Sequence, residues 1–170
     1  FASGNYNQQG GIARSEAKRQ NKDMGIVTDY FNQISESNNK RRFTSARFGM
    51  DYFIDNRNTI SISQNFVQGR FSNDESQEQE YLDAGKFLTQ LGERKSFSRN
   101  QFNRSNTQIN FKHDFPKSGH ELTADVTFNK GRGKNNSNIS NYYFDPNGLP
   151  SRDPNFVRNN GNNNNTQLTI

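Results

Sequence analysis

The 170 residues carry 22 Lys and Arg against 17 Asp and Glu, for a net charge of +5, and only 28% of them are hydrophobic. That is too little apolar material for an ordinary soluble core, because globular chains run at about 45–50% apolar with Gly counted. Yet 15 Phe and 6 Tyr are too many for a disordered chain, which is poor in aromatics.

A sheet that encloses water reconciles these facts, since only alternate residues of each strand then need to be apolar. The chain has no Cys, so it has no disulfide framework and no thiolate metal site. Two His are too few for a zinc centre, and no cofactor is expected. No run of about 18 apolar residues offers a membrane helix. Basic residues are scattered among acidic ones, with Lys40-Arg41-Arg42 the densest run, so no nucleic-acid partner is expected. Phe1 opens the chain without a starting Met or a basic leader, and Thr166 to Ile170 stops within an alternating run. The expectation is an internal piece of a longer protein.

Taken in order, residues 1–20 are weakly patterned. Phe1 to Tyr6 reads as the end of a strand, Gly10-Gly11 interrupts it, and Arg14 to Asp23 reads as an exposed loop, a strand extension or a disordered terminus. From Ile26 the even positions Ile26, Thr28, Tyr30 and Ile34 keep the parity of the segment that follows. This allows one strand over 26–54, or two split near Ser37 to Asn39.

The clearest stretch is Arg42 to Phe71. Thr44, Ala46, Phe48, Met50, Tyr52 and Ile54 share one face, while Ser45, Arg47, Gly49 and Asp51 share the other. That is period two, the signature of a strand with one apolar side. After Asp55 to Asn58, the residues Ile60, Ile62 and Phe66 alternate with Thr59, Ser61, Ser63 and Asn65. Placing Ile54 opposite Ile60 leaves Asp55 to Thr59 as the loop of a hairpin. Arms of about ten residues match the length needed to cross a bilayer at a tilt. Tyr52, Phe53 and Phe115 fit an aromatic girdle at the bilayer boundary.

Residues 72–101 are polar and read as a long loop, with a short amphipathic helical turn over Tyr81 to Leu91. A second hairpin spans Asn106 to Phe128. Thr107, Ile109, Phe111, His113 and Phe115 fall on one face of its first arm, and Leu122, Ala124, Val126 and Phe128 on one face of its second. Matching these faces pairs Phe115 with His120 across a four-residue turn, where Pro116 and Gly119 belong. Residues 130–164 read as a second long loop with a turn at Asp145-Pro146-Asn147-Gly148, and Thr166, Leu168 and Ile170 begin another strand. The fold expected is all-β, an antiparallel up-and-down sheet of about six strands that forms part of a transmembrane β-barrel, with residues 1–170 in one domain. Short turns lie at one end and two long extracellular loops at the other. A soluble β-sandwich shares the period-two pattern, but its strands are shorter and its turns recur every 8–12 residues.

Catalytic signals are thin, and no enzyme activity is expected. Asp114 and Glu121 face each other across the second hairpin beside Lys112, which suits a mixed-charge lumen better than an acid/base pair. His113 and His120 have outward parity and no third ligand, so an interfacial role is expected. Gly131-Arg132-Gly133-Lys134 lacks the spacing of a phosphate loop. The one ligand-binding expectation is a loop cluster at a barrel mouth made of Tyr142, Tyr143, Phe144, Arg152 and Arg158.

Two segments carry a resemblance. Arg47-Phe48-Gly49-Met50-Asp51-Tyr52 through Asn58-Thr59-Ile60-Ser61, followed by Phe111-Lys112-His113-Asp114-Phe115 through Glu121-Leu122-Thr123-Ala124-Asp125, resemble two hairpins that recur in this order in the outer-membrane β-barrel family of the Bacteroidota, whose members are like TonB-dependent receptors. The resemblance covers roughly residues 26–130 and says nothing of cargo. It implies a location in the cell outer membrane of a Gram-negative bacterium and energy-coupled uptake of a large nutrient. The partners it implies are outer-membrane lipid, a TonB-type coupling protein acting through a plug region that these residues do not contain, and a surface lipoprotein. The rival expectations are a non-transporting adhesin or structural outer-membrane protein, and a soluble basic binding module.

Overall fold

The computed structural model describes all residues, 1–170, and holds six strands and no helix. They are β1 (Ala2–Asp23), β2 (Ile26–Phe53), β3 (Asn58–Asp83), β4 (Leu88–Asp114), β5 (Glu121–Phe144) and β6 (Pro150–Thr169). Each pairs antiparallel with the next in one six-stranded sheet, in the order β1-β2-β3-β4-β5-β6. The sheet is open, and β1 and β6 are its edges. The all-β, up-and-down antiparallel architecture is thus as expected.

There is no second layer. Only 4 of 170 residues are buried and no hydrophobic residue is among them; three of the four are the glycines Gly69, Gly92 and Gly131. Stability therefore rests on the backbone ladder, where 112 of the 121 backbone hydrogen bonds lie within the strands.

The two long loops of the sequence reading do not exist. Residues 72–83 continue β3 and 88–101 begin β4, while 130–144 continue β5 and 150–164 belong to β6. What joins them is short. Asp83 N–H donates to the Phe87 carbonyl at 3.0 Å, and Asp145 N–H to the Leu149 carbonyl at 2.8 Å. The residue before the closing one is left-handed in both turns, Lys86 at φ 65° and Gly148 at φ 84°. In both turns the leading aspartate also accepts from the closing backbone N–H, from Phe87 at 2.9 Å and from Leu149 at 2.8 Å. The helical turn proposed for Tyr81 to Leu91 is this hairpin turn. The turn signal at Asp145 to Gly148 is where it was expected.

The N-terminal segment is neither a loop nor disordered. Residues 2–23 form a continuous strand that returns through the two-residue turn Met24-Gly25. Both residues have positive φ, 46° and 85°, which matches the twist of a tight hairpin. Of the two alternatives for 26–54, the single strand is found.

The second hairpin has the expected register, with Phe115 N–H on the His120 carbonyl at 3.0 Å. The first is tighter by two residues: Tyr52, not Ile54, lies opposite Ile60, and Ile54 N–H donates to the Asn58 carbonyl at 2.9 Å. Asp55 causes this by accepting from the backbone N–H of both Arg57 and Asn58 at 2.8 Å. A two-residue slip leaves every side chain on its original face.

Register now defines the faces. Reading across β2, β3, β4 and β5, Tyr52–Ile60–Phe111–Ala124 form one row, and Met50–Ile62–Ile109–Val126 the next. Ala2–Phe48–Gln64–Thr107–Phe128–Leu168 form the third across all six strands. With the Asn58–His113–Leu122 row below and the Ala46–Phe66–Ser105–Lys130 row above, this is an apolar band. Five rows span four two-residue steps, about 27 Å along the strands and about 20 Å in height at a tilt of about 40°. Apart from Lys130, the few polar side chains in the band bond to one another. Gln64 donates to Ser105 at 2.8 Å and accepts from Thr107 at 2.5 Å, and His113 Nδ1 lies 2.7 Å from Asn58 Oδ1. Phe53, adjacent to Tyr52, turns to the opposite, polar face, so it does not belong to the aromatic set of the band.

Candidate ligand-binding surface

The strands are 20 to 28 residues long, but the band occupies only about ten residues of β2 to β5 and just the ends of β1 and β6. In β5, Phe144 stands 14 residues beyond Lys130, or about 45 Å along the strand. The five residues expected to form a site lie at or toward this far end.

The structure divides them between two faces. Tyr143 lies opposite Arg152, whose guanidinium carbon sits 3.3 Å from the ring centroid. This stacked pair is on the polar face, the side away from the band. Consecutive residues of a strand alternate, so Tyr142 and Phe144 are on the banded face. There Tyr142 meets Phe156 edge-on at 6.1 Å, and Lys95 lies over the Tyr142 ring at 5.8 Å. A hydrogen bond from Lys95 to the Glu93 carboxylate, 2.8 Å away, raises the Lys95 pKa and keeps that cation charged. Arg158 lies opposite Asn138, four residues and about 13 Å along the strand from Tyr142. The five do not form one cluster.

On the polar face, sequence reasoning missed the partners of Tyr143 and Arg152. One row reads Gln33–Gln79–Gly92–Tyr143–Arg152, and its neighbour Arg19–Phe31–Tyr81–Gln90. Phe31 and Tyr81 have ring centroids 5.0 Å apart, and the Arg19 guanidinium covers Phe31 at 5.1 Å. Gly92 makes this surface continuous. A Cβ there would meet Gln79 Oε1 at 2.9 Å and the Tyr81 ring at 3.6 Å. Along β3, Tyr81 donates to Gln79 at 3.3 Å, Gln79 to Gln77 at 3.4 Å, and Gln77 to Glu75 at 2.9 Å. The result is a surface of aromatic faces, guanidinium groups and amide donors, suited to stacking on and hydrogen-bonding a large polar ligand.

Nearer the band, Phe102 is flanked by Gly69 on one side and Gly133 on the other. Its ring lies over Gly69, where a Cβ would come within 2.2 Å of it. Phe43 and Phe71 join it at 6.5 Å and 6.1 Å. A lone Phe between polar residues carries no signal in the text of the sequence; only register reveals the glycines beside it.

At the opposite end of the polar face, Lys112 bridges Asp114 and Glu121, 3.1 Å from each. Two carboxylates neutralised by one ammonium form a structural tie across the turn. No group of three or more His, Asp or Glu is placed to hold a metal ion. No protein-family model matches the chain, and no characterised protein matches it at a significant level.

Proposed function

We propose that the chain is part of the wall of an outer-membrane β-barrel of the TonB-dependent-receptor type, carrying a large polar nutrient across the outer membrane. One observation carries this reading. A sheet with no covering layer has an apolar band about 20 Å high on one face at one end, while the rows directly behind it on the opposite face, Asp51–Ser61–Asn110–Asp125, Gly49–Ser63–Gln108–Thr127 and Arg47–Asn65–Asn106–Asn129, carry no apolar side chain. Such a face stands in water only if the sheet curves around a lumen, and such a band is stable only against lipid. On this reading the strands beyond the band rise above the outer leaflet. The Tyr143–Arg152 and Arg19–Phe31–Tyr81 surface then lies inside the mouth, where it meets the ligand first. Release inward requires a plug and energy coupling, as the resemblance implies. Six strands are fewer than the roughly eight of the smallest single-chain barrels, so β1 and β6 each meet further strands.

The test is fractionation of the full-length protein with gel mobility measured before and after boiling. Recovery in the outer membrane with a heat-dependent shift supports the barrel. Recovery as a soluble protein without a shift refutes it. Ligand uptake then separates a transporter from a non-transporting surface protein.

A further inference from the structure

Directly above the apolar band, and on the same face, lies a belt of cations without acids. Arg42, Arg70 and Lys134 share one cross-strand row, Gln8–Arg42–Arg70–Gln101–Lys134–Asn162. The row farther from the band adds Lys40 and Arg99, and the two rows nearer to it add Arg132 and Lys130. None of the four rows contains an Asp or Glu on this face; the first carboxylate, Asp74, comes one row farther out, opposite Asn38 and Phe97. All seven cations are exposed, and none forms an ion pair.

Two features ask for an anionic partner of one kind. Arg42 and Arg70 are directly opposed on neighbouring strands, about 4.8 Å apart, and like charges so placed are destabilising unless a counter-charge joins them. The belt also begins where the band ends, since Lys130 shares its row with Phe66 and Ala46. A ligand covering both surfaces has acyl chains below and phosphates above. We propose that this face binds a phosphorylated, acylated lipid of the outer leaflet, with its phosphates held by Arg42, Arg70 and Lys134 and its chains on Phe48, Phe66 and Phe128. The arginines suit phosphate because their planar forks donate two parallel hydrogen bonds. Free nucleic acid or a soluble anion would use the cations but leave the band uncovered. This proposal rests on the outer-membrane reading above.

The experiment titrates full-length protein in neutral detergent with diphosphoryl lipid A and counts bound lipid by native mass spectrometry. Wild type should bind it and lose most of the affinity for the dephosphorylated lipid. Each cation at a charged headgroup is worth about fivefold, so Arg42→Gln/Arg70→Gln/Lys134→Gln should bind roughly a hundredfold more weakly. The polar-face control Arg41→Gln/Arg47→Gln/Arg104→Gln should bind as wild type does. Equal binding by the two triple variants overturns the proposal. So does equal binding of the dephosphorylated lipid, or equally tight binding of pyrophosphate or duplex DNA. Heat-shifted mobility of each variant separates the two claims. A shift without any difference in lipid binding sinks the belt alone, whereas absence of the shift in wild type sinks the barrel and the belt together.

Discussion

The decisive perturbation is a charge at the centre of the band. Ile62 lies in the middle row, between Met50 on β2 and Ile109 on β4, two rows from either edge. That is about 13 Å along the strand, or about 10 Å in depth at a tilt of about 40°. Its side chain is 42% exposed on the single-layered sheet, so on the membrane reading it faces hydrocarbon. Ile62→Arg should cost about 2–4 kcal/mol, the range for a cation at the midplane of a barrel's lipid face. That corresponds to roughly a thirtyfold to several-hundredfold loss in the folding equilibrium. Ser63→Arg, one residue on, points to the polar face between Gly49 and Gln108 and should cost under about 1 kcal/mol. The assay is urea unfolding of full-length protein in lipid vesicles, with the folded fraction read from the mobility shift before boiling. Equal costs at the two positions would refute the assignment of faces. A larger cost at Ser63 would mean that the polar face is the covered one and that the barrel is inverted or absent.

Gly69→Val should lower the free energy of unfolding by about 1–3 kcal/mol, because its Cβ would displace the Phe102 ring. Removing that ring with Phe102→Ala in the same chain should return part of the loss. In the first turn, hydrogen bonds from the Arg57 backbone and then from the Asn58 side chain hold the Asp55 carboxyl below its ordinary value. A depressed carboxylate stabilises above the unfolded value of about 3.9 and loses that contribution as pH falls through the folded one. Protease cleavage between residues 54 and 58 should therefore rise only below about pH 4, and Asp55→Asn should remove that pH dependence. Hydrogen exchange should show the inner-strand amides of 72–83 and 88–101 as protected as those of the band; loop-like exchange within seconds would refute the long strands.

Sequence was informative wherever the two faces of a strand meet different media. In Thr44 to Ile54 and in Thr107 to Phe128 the alternation placed every band residue on its proper side. Pro116 and Gly119 fixed the length of the second turn, so its register was readable. The first turn misled because Asp55 captures two backbone N–H groups and shortens the loop, and a two-residue slip leaves no trace in hydropathy. Beyond the band, on the membrane reading, both faces are wet. Nothing then forces apolar and polar residues to alternate, and strands such as Ser72 to Asp83 looked like loop. The same error gathered Tyr142, Tyr143 and Phe144 into one cluster, since neighbouring residues can converge in a loop but must diverge in a strand. Gly92, which lets the aromatic and amide side chains lie together, is legible only once Gln79 is known to stand opposite it.

The distal strands hold together for a different reason from the band. With no continuous apolar face, they depend on uninterrupted pairing, on isolated aromatic contacts such as Phe31–Tyr81, and on side chains that bond along or across the ladder, as Glu75, Gln77, Gln79 and Tyr81 do. The change from one regime to the other is written into a single pentapeptide, Lys130 to Lys134. Its odd positions, Gly131 and Gly133, pass beneath the polar-face rows of Arg104 and Phe102, where a larger side chain at Gly131 would strike Asn165. Its even positions, Lys130, Arg132 and Lys134, point the other way into the acid-free belt. Read as text, the segment looks like part of a long loop, without the spacing of a phosphate loop. Read in register, it is rigid strand, and its cations and glycines are segregated by the pleat. The same five residues thus mark the upper edge of the band and leave room for aromatic packing on the opposite side.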